Sequence, residues 1–176
     1  MQDISDTDRF EDSKPWLLLA VYCFLIGGFL SLGLVLGRAP VINQFIADPL
    51  LVKRLLVVHV TLTLNCWFLG FIASLFYLLP GPKSHFRYWK LGLIGIVLFT
   101  LGGLFSSTPP LLSNYIPMLH HPLFISGLAL FMLAVTFSLL NRRLLGCHNL
   151  KNNFENSLLD EGSALGIQTA AAIFLF

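Results

Sequence analysis

Apolar and polar positions along this chain fall into long blocks, not into the short periods of a water-soluble domain. Runs free of Asp, Glu, Lys and Arg extend over Pro15–Gly37, Leu55–Pro82, Leu91–Leu119 and Pro122–Asn141. Each can supply the roughly 20 residues an α-helix needs to cross the hydrocarbon core. A fifth apolar run starts at Gly162 and is still continuing at Phe176. The pattern predicts an all-α fold, a polytopic transmembrane helix bundle with four full helices plus the start of a fifth. An acidic cytoplasmic tail, residues 1–14, is expected to precede a transmembrane helical domain, residues 15–176, in what looks like the N-terminal part of a longer chain.

Punctuation residues place the elements more closely. Helix one is expected over Pro15–Gly37, ended by Arg38-Ala-Pro40. Gly33 and Gly37 form a GxxxG, and Gly27, Gly28 and Ser31 extend a small-residue stripe of the kind that lets helix backbones approach; packing within the chain is the expected use. Asp48 as N-cap with Pro49 at the first helical position starts helix two, which should run to about Leu79 before Pro80-Gly81-Pro82. Helix three is expected over Leu91–Phe105 and is broken at Thr108-Pro109-Pro110. Residues 111–121 read as an outer loop near the headgroups. Helix four should run from Pro122 to about Leu145, followed by a polar, Asn-rich loop to Glu161.

Composition agrees with the membrane assignment: 56% hydrophobic and 11% charged residues, with a mean hydropathy of +0.78. The net charge of +2 is too small to point to nucleic acid. Its distribution says more. With five helices, one side carries Arg9, Lys14, Lys83, Arg87, Lys90, Arg142, Arg143 and Lys151, and the other only Arg38, Lys53 and Arg54. The positive-inside rule then puts the N-terminus in the cytoplasm of a cell whose inner membrane holds the chain. The first apolar run is too long for a signal-peptide core and has no basic region before it, so it reads as an uncleaved anchor.

The candidate chemistry centres on His59. It lies inside the second apolar run, where an ionisable side chain is costly and marks a functional site by default. On a 3.6-residue period His59, Thr63, Cys66, Gly70, Ser74 and Tyr77 share one stripe of helix two. That small, polar stripe should face protein or a cofactor, and it leaves room either for a flat macrocycle or for close helix packing. A structural hydrogen-bonding histidine, an axial haem ligand and a proton-transfer group all stay open. His120 and His121 precede Pro122 at the outer mouth of helix four, at a depth very roughly 15 Å from His59, too far to ligate the same iron. His85 belongs to the basic loop. Cys23 and Cys66 fall within helices, and Cys147-His148 is an isolated pair. No CxxC, CxxCH, HExxH, P-loop or GxSxG occurs. The charge-free helix cores argue against an ion-coupled transporter built from this segment alone.

The stretch His59-Val-Thr-Leu-Thr-Leu-Asn65-Cys-Trp67-Phe-Leu-Gly70, continuing to Tyr77-Leu-Leu-Pro80, resembles the second helix of subunit I in the haem-copper oxidase superfamily. It is most similar to the cbb3-type and nitric-oxide-reductase-like branch. Asn114-Tyr-Ile-Pro-Met-Leu-His-His-Pro122 is similar to the outer loop before helix four in divergent members. The resemblance implies a subunit of a respiratory electron-transfer complex, with His59 as metal ligand to a low-spin haem b, other membrane subunits as partners and a c-type cytochrome as electron donor. The family's copper-binding histidines and second low-spin ligand have no counterpart in these residues, so oxygen or nitric oxide reduction is not implied. A cofactor-free structural subunit and one half of a small-molecule transporter are the competing expectations.

Overall fold

The computed structural model describes residues 6–46, 48, 50–78, 86–111 and 118–150. Helix α1 spans Asp6–Arg38 and a single turn, α2, Pro40–Asn43. The second span is one continuous rod in three pieces: α3 (Leu51–Val60), a π-helical segment (Thr61–Cys66) and α4 (Trp67–Leu78). Then follow α5 (Tyr88–Leu104), strands β1 (Pro110–Leu111) and β2 (Met118–Leu119), and α6 (Pro122–Leu150). The fold is all-α apart from that short ladder. Among the described residues three helices are long and apolar enough to cross a membrane: Phe10–Arg38, Leu51–Leu78 and Pro122–Leu140. The expected fifth helix and residues 79–85 lie outside the described residues.

The helices pair as two hairpins. Helix α1 runs antiparallel to the second span, and α5 antiparallel to α6. The hairpins join through α3 against α5 and through α4 against α6. Lipid offers helices no hydrophobic reason to associate, so close van der Waals contact must hold such a bundle together. Glycines supply it. A Cβ on Gly37 would lie 2.7 Å from Val52 Cγ2, and one on Gly33 would lie 3.7 Å from Leu55 Cδ1. The GxxxG therefore packs within the chain, as its sequence suggests. The α5–α6 seam is tighter still, with Gly95, Gly102 and Gly127 letting backbone touch backbone. Around these seams the core is filled by Trp16, Val57, Val58, Leu62, Phe99, Phe124 and Phe131, and Phe99 meets Phe124 edge-on at 5.9 Å. Phe29, Val35 and Leu64 project outward at 62–73% exposure, as lipid-facing residues should.

Several boundaries differ from the sequence expectation. Helix α1 begins at Asp6, not Pro15. The Ser13 hydroxyl donates to Ser74 O at 3.0 Å and lies 2.8 Å from Ser74 Oγ. That anchor holds the turns on both sides of Pro15 in helical register. Helix α6 runs on to Leu150, past the expected stop near Leu145. Residues 110–119 are not wholly irregular: Pro110 pairs with Leu119 and Leu111 with Met118. Asp48 is not an N-cap. Its carboxylate accepts the Leu50 amide at 2.9 Å, two residues on, and the helix starts only at Leu51.

The other Asp48 oxygen explains Arg54. Read from sequence as an outer-loop cation, Arg54 is only 6% exposed. One Nη donates to Asp48 and the other to the Ser106 carbonyl just beyond α5, so the guanidinium ties the start of α3 to the end of α5. The Leu50 amide, followed by the Arg54 guanidinium, holds the Asp48 carboxyl below its ordinary value. A carboxyl lowered on folding contributes stability above its unfolded pKa of about 3.9 and loses it as the pH falls through the folded value. Thermal unfolding in detergent should therefore show no Asp48 effect on going from pH 8 to 5, then a falling midpoint below about pH 4. Asp48→Asn should lower the midpoint at pH 7 and converge on wild type in acid.

Candidate functional site

The site forms where α1 crosses the second span. Thr61 and Thr63 set its local geometry. Their hydroxyls donate to the carbonyls four residues back, Val57 and His59, each at 2.8 Å. Such back-bonding competes with the amide ladder and bends helices. Here the ladder widens, and the Trp67 amide reaches back to Leu62 O, a π-type bond. Such bulges are frequent at functional sites. Thr61-Leu62-Thr63, beginning two residues after His59, is the sequence signal that could have announced it.

His59 is half-buried, and its Nδ1 stands 2.7 Å from the Gly27 carbonyl. A carbonyl oxygen can only accept, so Nδ1 carries a proton, and the neutral tautomer with this bond has its lone pair on Nε2. Gly27 makes the approach possible. A Cβ there would lie 2.4 Å from Thr63 Cγ2 and 3.7 Å from His59 O. Its neighbour Gly28 has nothing within 4 Å. The pair provides its own control. Gly27→Ala should push Thr63 aside, loosen the His59 bond and lower the unfolding midpoint. Gly28→Ala should leave it unchanged or raise it, since alanine gains up to about 1 kcal/mol of helix propensity over glycine.

The rest of the His59 stripe faces protein, and helix packing uses all of it. Thr63 lies against Gly27, Cys66 against Cys23, Gly70 against Ala20, and Ser74 against Ser13. Tyr77 accepts a hydrogen bond from Ser138 of α6 at 2.8 Å. Room for a flat macrocycle along that stripe, one of the two uses open from sequence, is therefore absent. The tight α1 contact closes it.

A haem asks the protein for a ring nitrogen with a free lone pair and for apolar cover. The first requirement is met. Ligating histidines characteristically donate their other ring N–H to a carbonyl or carboxylate, as His59 does. His120 is exposed, while His121 sits at the start of α6, its carbonyl capping Ile125 N and its Nδ1 buried without a partner. Among the described residues no three His, Cys, Asp or Glu side chains cluster as a metal site. His85 and the side chains of Cys147 and His148 fall outside the described residues.

No family model and no solved structure matches the chain. Two curated relatives do, both described as uncharacterised proteins. One, from Rickettsia prowazekii (strain Madrid E), is 27% identical over 68% of this chain and 28% of its own length. The other, from Aquifex aeolicus (strain VF5), is 28% identical over 68% of this chain and 31% of its own length. The chain thus spans under a third of each relative it matches.

Proposed function

We propose that the chain is the membrane-embedded part of a respiratory electron-transfer protein in which His59 supplies one axial ligand to a low-spin haem b. One observation carries the reading: the Gly27 carbonyl accepts a hydrogen bond from Nδ1–H of an imidazole in the second apolar span, which in the neutral ring leaves the Nε2 lone pair for a metal. Such a bond orients the ring and raises its basicity as a ligand. When bound, the haem supplies reversible one-electron transfer at a potential set by its ligands and the surrounding dielectric.

The chain's own residues do the positioning. Gly27 fixes the ring, Thr63 fixes the backbone carbonyl of His59, and the Asp48–Arg54–Ser106 tie holds the outer end of α3 one and a half turns above it. All four long helices cross the membrane in this reading. The 17 residues of α5 cover about 25 Å, near the roughly 30 Å of hydrocarbon. The excess of Lys and Arg on one side puts the N-terminus in the cytoplasm of a bacterial inner membrane, and the bacterial sources of both relatives support that setting. The second axial ligand comes from further membrane segments or partner subunits, and a c-type cytochrome donates electrons.

A cofactor-free structural subunit is the second reading, favoured because helix packing takes up the whole His59 stripe. A pyridine haemochrome assay on the full-length protein purified from native membranes separates the two. The haem reading expects about one b-type haem or more per chain. A folded, assembled preparation without haem would leave the structural reading standing.

A further inference from the structure

Cys23 on α1 and Cys66 at the end of the π segment are both free thiols, 2% and 0% exposed. Taken singly, each is a small apolar side chain in a core, which is how most buried cysteines behave. Their register makes them a pair. Facing residues step in opposite directions along the two helices: Gly37 with Val52, Gly33 with Leu55, Gly27 with Leu62 and Thr63, Ala20 with Gly70, Ser13 with Ser74. Cys23 and Cys66 fall between the third and fourth of these, and their thiols lie within hydrogen-bonding reach of each other.

The backbone spacing on both sides suits a covalent bridge. A Cβ on Gly27 would lie 3.5 Å from Leu62 Cβ, and one on Gly70 would lie 3.3 Å from Ala20 Cβ. Disulfides join residues whose Cβ atoms are about 3.5–4.5 Å apart. The two levels that bracket the cysteines therefore stand at or just inside the separation a disulfide needs.

The surroundings choose the chemistry. Two thiolates on a soft cation such as Cu(I) would release two protons and leave net negative charge in an apolar core, which is costly. Closing the disulfide creates no charge if the oxidant takes hydrogen along with the electrons. A quinone does this, and it dissolves in the same bilayer.

We propose that Cys23 and Cys66 form a redox-active dithiol that closes to a disulfide between α1 and the second span, with a lipid-dissolved quinone as oxidant. Two S–H bonds break and one S–S bond forms. The two electrons and two protons pass to the quinone carbonyl oxygens, giving the quinol. The site is independent of haem at His59, and its readout is a mass.

The test uses the full-length protein in native membranes, exposed to decylubiquinone or to the permeant thiol oxidant diamide. The sample is then acid-quenched, denatured, treated with N-ethylmaleimide and digested for mass spectrometry. Wild type should yield a Cys23–Cys66 linked peptide two hydrogens lighter than the reduced pair, free of maleimide and opened by dithiothreitol. In Cys23→Ser, Cys66 should take maleimide after the same treatment. Maleimide on both cysteines of wild type after both oxidants would overturn the proposal. Closure with diamide but not with the quinone would also overturn it, because the pair would then be a passive one.

Discussion

Gly127→Val abolishes the folded bundle. A Cβ at position 127 would sit 2.4 Å from the Phe99 amide nitrogen, 2.7 Å from the Gly95 carbonyl and 3.0 Å from the Leu98 carbonyl carbon. These are backbone atoms of α5, so no rotamer change relieves the clash. The reciprocal position is equally closed: a Cβ on Gly95 would lie 2.7 Å from both Gly127 O and Phe131 N. Overpacking costs about 1–3 kcal/mol where side chains can yield. With backbone on both sides and two branches added, the cost should be about 3 kcal/mol or more, a large share of a total of about 5–15. Separating α5 from α6 would also undo the Phe99–Phe124 contact and the Gly102 seam. Size-exclusion chromatography of the detergent-solubilised protein should show loss of the monodisperse species. Leu133→Val, on a side chain 50% exposed to lipid, should leave it intact.

The apolar blocks were legible because a membrane helix needs length above all. Among the described residues they placed both ends of the second span and of α5, the end of α1 at Arg38 and the start of α6 at Pro122 to within about three residues, while α1 begins earlier and α6 runs further than expected. The GxxxG of α1 and the inward stripe of helix two were legible for a related reason, since small residues among large ones mark where backbones meet. What escaped the sequence depends on tertiary register. Arg54 looks like a loop cation until the Ser106 carbonyl, 52 residues away, is brought to it. Cys23 and Cys66 carry no spacing motif, and they face each other only because of how α1 is staggered against the second span. The π segment arises from a local contest for carbonyls that hydrophobic periodicity does not register. Helix α1 reaches back to Asp6 because Ser13 finds Ser74, 61 positions on.

The same register decided how the candidate site is read. His59 was singled out from its cost in a bilayer, and that reasoning needed no structure. Which side of the helix could receive a cofactor did need one. The stripe that runs on from His59 is filled by α1 and, at Tyr77, by α6, which leaves no room along it for a flat ring. This geometry makes substitutions at His59 informative. Losing one hydrogen bond costs about 1 kcal/mol. The π segment and the Gly27–Thr63 contact remain, so the bundle should assemble without the imidazole. His59→Asn is the sharper variant. Its amide N–H can still be offered to α1, but it has no ring nitrogen for iron. Assembly should therefore be near wild type, with the haem lost.

The decisive measurement is the dithionite-reduced minus oxidised visible spectrum of the assembled full-length protein, for wild type, His59→Asn and His59→Ala, the last with and without added imidazole. Axial ligation by His59 predicts a b-type alpha band in wild type, its loss in both variants with assembly retained, and partial return in His59→Ala when imidazole is supplied. An unchanged band in assembled His59→Asn and His59→Ala would contradict that role and leave His59 as a residue that fastens the second span to α1.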